Sequence, residues 1–310
     1  MPYPIEKKLV IVISSSALFD LSDSDKVYKE HGLEAYRKFQ EKNIDQLLPK
    51  GVAFPFIRRF LNLNMAFPEQ EPVEVVLMSR NSPETGLRVF RSIQHYKLNI
   101  SRAAFFSGTS PFKYIPAYNA TLFLSANEED VTNAVNAGFA AGRVIETKIE
   151  DDENDKELRI AFDFDGVIAD DQSEMIYRES NDLSKFHDHE SKMMKTPLTP
   201  GPLNDLFQKI SHFQAMERER QRADPTYKRI LKTSIITARN APSHERVVYT
   251  LKEWGVDVDE AFFLGGIEKR RILEIMKPHI FFDDQMGHLE HIEHIPAVHI
   301  PFGISNQIIK

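Results

Sequence analysis

Asp163 and Asp165 stand in the segment Asp-Phe-Asp-Gly, directly after the apolar run Leu158–Phe162. Residues two apart on an extended chain point the same way, so both carboxylates can face one site. Gly166 lets the chain turn sharply beside them. Asp283 and Asp284 follow a second apolar run, residues 279–282. Open parallel sheets bind ligands at the carboxyl ends of their strands, so both acidic pairs are expected on one edge. Carboxylates gathered there repel one another unless a cation joins them, and Mg²⁺ suits hard oxygen ligands. Asp163, Asp165, Asp283 and Asp284 are therefore the expected metal set. Thr237 ends a third short run, residues 234–236, and Lys269 follows Gly265-Gly266. The threonine hydroxyl and backbone N–H groups beside it, such as that of Ala238, can hold phosphate oxygens where a helix begins. The ammonium of Lys269 can neutralise phosphate and carboxylate alike, with Arg270 and Arg271 as rivals for that role.

These groups need a scaffold, and the apolar runs supply one. Besides Leu9–Ile13 and Leu158–Phe162, residues 73–78, 103–106, 121–124, 234–236, 261–264, 279–282 and 297–300 read as buried strands. Amphipathic stretches of helical length, such as 83–96 and 242–254, lie between them. Alternating strand and helix predicts an α/β fold with a parallel sheet covered on both faces. A chain of 310 residues is long enough for two domains, and the acidic stretch 150–157 is the expected linker. Apolar residues at 42% and charged residues at 27% exclude disorder and fibres. A net charge of −7 argues against a nucleic acid polymer as partner. Cysteine is absent, which excludes disulfides, thiolate metal sites and a cysteine nucleophile. No apolar run approaches the roughly 18–20 residues that span a bilayer, and no cleavage pattern follows the N-terminal run. A cytoplasmic protein without membrane partners is expected.

The two halves repeat one another. Ser14, Met78, Ala104 and Ser125 recur in order as Asp163, Thr237, Ala261 and Asp283, at offsets of 149 to 159 residues. The expected organisation is two similar α/β domains, 1–149 and 158–310. Their chemistry differs. The first has Ser14-Ser15-Ser16 where the second has Asp163-Phe164-Asp165, and Ser125-Ala126 where the second has Asp283-Asp284. The first half is therefore not expected to assemble the same metal site. It is expected to complete the substrate pocket, bind an effector nucleotide, form a subunit interface or serve a structural role alone. Asn81, Ser82, Thr85 and Lys113 stand where phosphate binders would stand in the repeat.

Asp-Phe-Asp-Gly-Val at 163–167, then Thr237, Lys269 and Asp283-Asp284, resembles the haloacid dehalogenase superfamily of aspartate-nucleophile phosphatases. Ser-Ser-Ser-Ala-Leu-Phe-Asp-Leu at 14–21, Gly-Leu-Glu-Ala-Tyr at 32–36 and Ser-Arg-Asn-Ser-Pro-Glu-Thr-Gly-Leu-Arg-Val-Phe at 79–90 are similar to the cytosolic 5′-nucleotidase I family, as is Phe-Ser-Gly at 106–108. The likeness runs from about residue 9 to 302. Vertebrate members read Asp-Gly-Asp-Ala-Val at the first motif. Both aspartates remain here, so the chemistry carries over, while the base preference stays open.

The resemblance implies two tandem Rossmann-type halves, the first degenerate and the second catalytic. A cap insertion at about 171–232 would follow the first motif and bring Ser173 and Glu174 near the substrate. It implies Mg²⁺-dependent hydrolysis of a nucleoside 5′-monophosphate, AMP first, with Asp163 as nucleophile and Asp165 as acid and base. Thr237, Ala238 and Lys269 would bind phosphate, and Arg239, Asn81 and Ser82 join the substrate candidates. A homo-oligomer is expected. The competing readings are a phosphatase for another small ester, such as a sugar phosphate, and a non-catalytic nucleotide sensor. His288, His291, His294 and His299 fit no zinc spacing and read as a solvated helix; Phe207 and Phe213 read as core.

Overall fold

A computed structural model describes residues 3–180 and 182–306. The chain divides into two compact units, Met1–Asp151 and Asp152–Lys310. In the first, β1 (Leu9–Ile13) leads into α1 (Ser15–Leu18), α2 (Ser22–Lys42), α3 (Phe54–Ala66) and β2 (Val73–Ser79). Then come α4 (Leu87–His95), β3 (Arg102–Phe105), β4 (Leu122–Ser125), α5 (Glu128–Asn136) and β5 (Ala141–Val144). The strands lie in the order β3-β2-β1-β4-β5, all parallel. Every residue of β1 is buried, as an unbroken Leu-Val-Ile-Val-Ile run requires of a strand covered on both faces. The strand β5 went unseen in the sequence, because Ala-Gly-Arg-Val carries no apolar run.

The second unit opens with β6 (Leu158–Phe162), followed by α6 (Gln172–Ser180), α7 (Leu183–Lys192), α8 (Asn204–Ala223) and β7 (Leu231–Thr237). It continues with α9 (His244–Glu253), β8 (Glu260–Phe263), α10 (Lys269–Met276), β9 (Ile280–Asp283), α11 (Met286–Leu289) and β10 (Ala297–His299). Its strands lie β10-β9-β6-β7-β8, again all parallel. This is the order of the first sheet, strand for strand. Phe162 stacks on Phe282 at 5.2 Å and meets the edge of Phe207 at 5.4 Å. Each such ring pair contributes about 0.5–1.5 kcal/mol beyond area burial. The stack fixes the residues immediately before Asp163 and Asp283.

The likeness of the units extends into the stretch expected as an insertion. Gly51 N donates to Leu18 O at 3.0 Å in the first unit, and Gly201 N to Ile168 O at 2.8 Å in the second. Leu48 N donates to Ser92 Oγ, and Leu198 N to Thr250 Oγ1. A helical stretch between the first two strands therefore belongs to both units, with α2 and α3 as the counterparts of α6, α7 and α8. The register also corrects the alignment by one residue. Leu77 lies opposite Ile13 and Ile235 opposite Phe162, so Ser79, not Met78, matches Thr237.

Candidate active site

The carboxyl ends of β6, β7 and β9 are neighbours, and they carry Asp163, Thr237 and Asp283. A cavity of about 260 Å³ opens there. It is lined by Asp163, Asp165, Ser173, Glu174, Thr237, Ala238 and Arg239, with Phe186, Asn240, Gln285 and His288. Lys269, the first residue of α10, reaches two of the strand-end carboxylates. Its Nζ lies 2.7 Å from Asp163 Oδ2 and 2.7 Å from Asp283 Oδ2. Burial works against the charge on Lys269, but the two carboxylates overcome it and raise its pKa. Lys269 thus meets the carboxylates, while Arg270 pairs loosely with Glu268 and Glu274.

Burial pushes the Asp163 carboxyl up to about 7, against the pull of Lys269. Asp283 is equally buried, yet Lys269 and His288 hold it below the ordinary range. Asp284 feels Lys269 only weakly. Burial first, then the charges of Asp163 and Asp283, raise it to about 9. Neither oxygen of Asp284 has a hydrogen-bond partner among the described residues. Leaving a buried polar group unpaired costs about 1–3 kcal/mol, more for a charged one. Its backbone is firmly held, since the Asp284 carbonyl accepts from Asn306 Nδ2 at 2.9 Å and lies 3.0 Å from His299 Nε2.

Gly166 explains how Asp284 comes so close. Its φ is +74°, and a Cβ there would stand 2.6 Å from Asp284 Cγ. Oxygens of Asp163 and Asp283 and a nitrogen of His288 lie within 4.8 Å of one another. An orphaned carboxylate, two more carboxylates and an imidazole make a donor set that fits a divalent cation, and the oxygen majority favours a hard one. His288 had been read as a solvated helix residue. Its only sequence signal is its place five residues after Asp283.

Asp165 is held differently. Both its oxygens accept from Arg239, Nε and Nη2, at 2.7 Å each. Arg239 Nη1 donates to Glu190 of α7, a fully buried carboxylate. Glu190 also accepts from Arg246 Nη1 at 2.8 Å and Ser173 Oγ at 2.9 Å. Burial works to raise the Glu190 carboxyl, but Arg239 and Arg246 overcome it and lower its pKa. The sequence pointed to Ser173 and Arg239 but missed Glu190 and Phe186; neither sits in a motif. Phe186 lies 5.6 Å from the Arg239 guanidinium. Glu174 turns to Ser305 Oγ at 3.1 Å and to Gln285. Phe207 and Phe213 are buried, as expected of core.

Thr237 Oγ1 accepts from Arg239 N at 3.2 Å, which fixes the turn carrying Ala238. In the first unit, Asn81 Oδ1 accepts from Tyr36, while Ser82 and Thr85 bond each other's backbone N–H groups. Lys113 is exposed. No helix among the described residues is long and apolar enough to cross a membrane.

A sequence model described as 5′-nucleotidase matches residues 1–307. Cytosolic 5′-nucleotidase 1B of Homo sapiens is 34% identical over 308 residues, which are 96% of this chain and 49% of that protein. The chain thus spans about half the length of the curated relative it matches. No solved structure matches it. With the match running through both units, the chain belongs to the 5′-nucleotidase family.

Proposed function

We propose that this chain is a Mg²⁺-dependent 5′-nucleotidase that converts a nucleoside 5′-monophosphate, AMP foremost, to nucleoside and phosphate. The observation that carries the reading is the meeting of Asp163, Thr237 and Asp283 at three adjacent strand ends, with Lys269 bridging two of them, a cavity lined by Asp163 and Thr237, and the unpartnered Asp284. Asp163 attacks phosphorus as the ester P–O bond breaks, giving an aspartyl-phosphate. Asp165 gives a proton to the departing ribose oxygen and then takes one from the water that releases phosphate, as general acid and base. Thr237 and the N–H groups of the Ala238 turn, with Lys269, hold the phosphoryl oxygens, where charge is spread in the transition state. Asp163, the Asp165 carbonyl, Asp283 and Asp284 would hold Mg²⁺, which draws the dianion against an anionic nucleophile. The stretch 171–232 acts as a cap that closes α6 and α7 over the nucleoside and excludes water.

Both units are read as haloacid dehalogenase-like, the first being degenerate and serving support or effector binding. A homo-oligomer in the cytoplasm is the expected state. Phosphate release from a panel of esters tests the reading. AMP should turn over fastest, and EDTA should abolish the rate. A rate on ribose 5-phosphate equal to that on AMP would refute the substrate class, and full activity in EDTA would refute the metal.

A further inference from the structure

The buried pair of Arg239 and Glu190 can be compared with its counterpart in the first unit. By the register of the sheets and the paired turns, Asp165 corresponds to Ser16, Arg239 to Asn81, Glu190 to Gln40 and Arg246 to Arg88. The scaffold bonds are the same in both. Arg246 Nε donates to Thr196 O at 2.9 Å, and Arg88 Nε to Gln46 O at 2.7 Å. Arg246 Nη1 donates to Glu190, and Arg88 Nη1 to Gln40 Oε1 at 3.4 Å. A neutral amide therefore suffices to support the helix where Asp165 and Arg239 are replaced by Ser16 and Asn81. The carboxylate occurs in the unit where the arginine grips an acid of the first motif.

Both oxygens of Asp165 are taken by Arg239, so Asp165 must turn away before it can address a leaving group. Arg239 Nη1 and the Arg246-held Glu190 keep the guanidinium where it is. We infer that Glu190 is a positioning residue for proton transfer: it anchors Arg239 while Asp165 rotates to the leaving oxygen. Without the anchor, the guanidinium follows Asp165 and keeps its oxygens occupied. The inference rests on the reading of Asp163 and Asp165 as the reacting carboxylates. The proton passes from the Asp165 carboxyl to the ester oxygen as its P–O bond breaks and the bond from Asp163 to phosphorus forms.

The test uses the Mg²⁺-loaded full chain and two substrates. One is AMP; the other is the analogue with sulfur as the bridging atom, whose thiolate leaves without a proton. Glu190→Gln should lower kcat on AMP by about 10- to 100-fold, the lower range of general-acid effects, with kcat on the sulfur analogue within about threefold. KM for AMP should stay within about threefold, since no group that binds phosphate is removed. Glu190→Asp, which keeps the charge on a shorter arm, should show a smaller loss with the same substrate dependence, and it serves as the test if Glu190→Gln does not fold. Equal losses on the two substrates in a folded variant, or no loss on either, would overturn the inference. Wild-type protein inert toward AMP would instead refute the reading on which the inference rests.

Discussion

The two units share a strand order and a set of turns, yet they meet the problem of polar groups at a strand edge in opposite ways. In the first, the edge is neutral. Ser14 and Ser16 lie 3.0 Å apart through their hydroxyls, and Ser15 meets Ser79 at 2.7 Å. Ser125 Oγ accepts from Asn127 N, and Ala126 replaces the second acid. Each such hydroxyl finds its partner inside the unit. In the second, four carboxylates share the edge, and Lys269 and Arg239 answer three of them. The fourth, Asp284, stays unanswered. Burial leaves such a carboxyl to hold a proton or to meet a partner from outside the chain, a choice that the hydroxyls of the first unit do not face. The turns follow suit. Gly166 leaves room for Asp284, while in the first unit Ala126 stands in the place of that acid.

The largest expected effect separates the halves outright. Asp163→Asn should lower kcat to below roughly 1% of wild type, since loss of one nucleophile normally costs several orders of magnitude. Ser14→Ala at the matching place should leave the rate unchanged. Steady-state phosphate release checks both, and a Ser14→Ala variant without activity would break the comparison. Rebuilding the acids should not reverse it. In an Asp163→Asn background, Ser14→Asp with Ser16→Asp should lower the thermal midpoint and restore no Mg²⁺-dependent hydrolysis, because Ser125 and Ala126 supply no partner carboxylates. Any such hydrolysis would show a working phosphate pocket in the first unit.

Metal dependence gives the next scale. Asp283→Ala should raise the Mg²⁺ needed for half-maximal rate. Asp284→Asn should leave the stability of the EDTA-treated protein within about 1 kcal/mol, since one unpaired polar group replaces another of the same shape, and shrink the stabilisation that Mg²⁺ brings. Thermal melts with and without Mg²⁺ decide it, and an unchanged Mg²⁺ response would leave Asp284 without a part in cation binding. Gly166→Ala should destabilise by about 1–3 kcal/mol, the range for backbone held in a sparsely populated region, and raise the Mg²⁺ requirement by crowding Asp284. Ala17→Gly should cost about 1 kcal/mol of helix propensity and leave the Mg²⁺ titration in place. The smallest effect is at Gln40. Gln40→Glu adds an acid beside Arg88 in a unit that has Asn81 where the other has Arg239, so kcat should be unchanged within about twofold.

Much of this was legible in the residues. Short apolar runs ending in Asp, Thr or Asp, alternating with stretches of helical length, read as buried parallel strands, and that pattern put Asp163, Thr237 and Asp283 at one edge. The repeat showed that one half lacks the acids. The sequence did not reveal β5, whose small residues make no run. It did not reveal Glu190, His288 or Phe186 either, because a polar or aromatic residue on a helix looks the same whether it faces water or a cavity. Local spacing thus determined the strands, their ends and the chemistry held there. Tertiary packing decided which side chains were stripped of water together. Residues as distant in sequence as Asp165, Glu190 and Arg239, or Gly166 and Asp284, interact strongly only once burial lowers the dielectric around them.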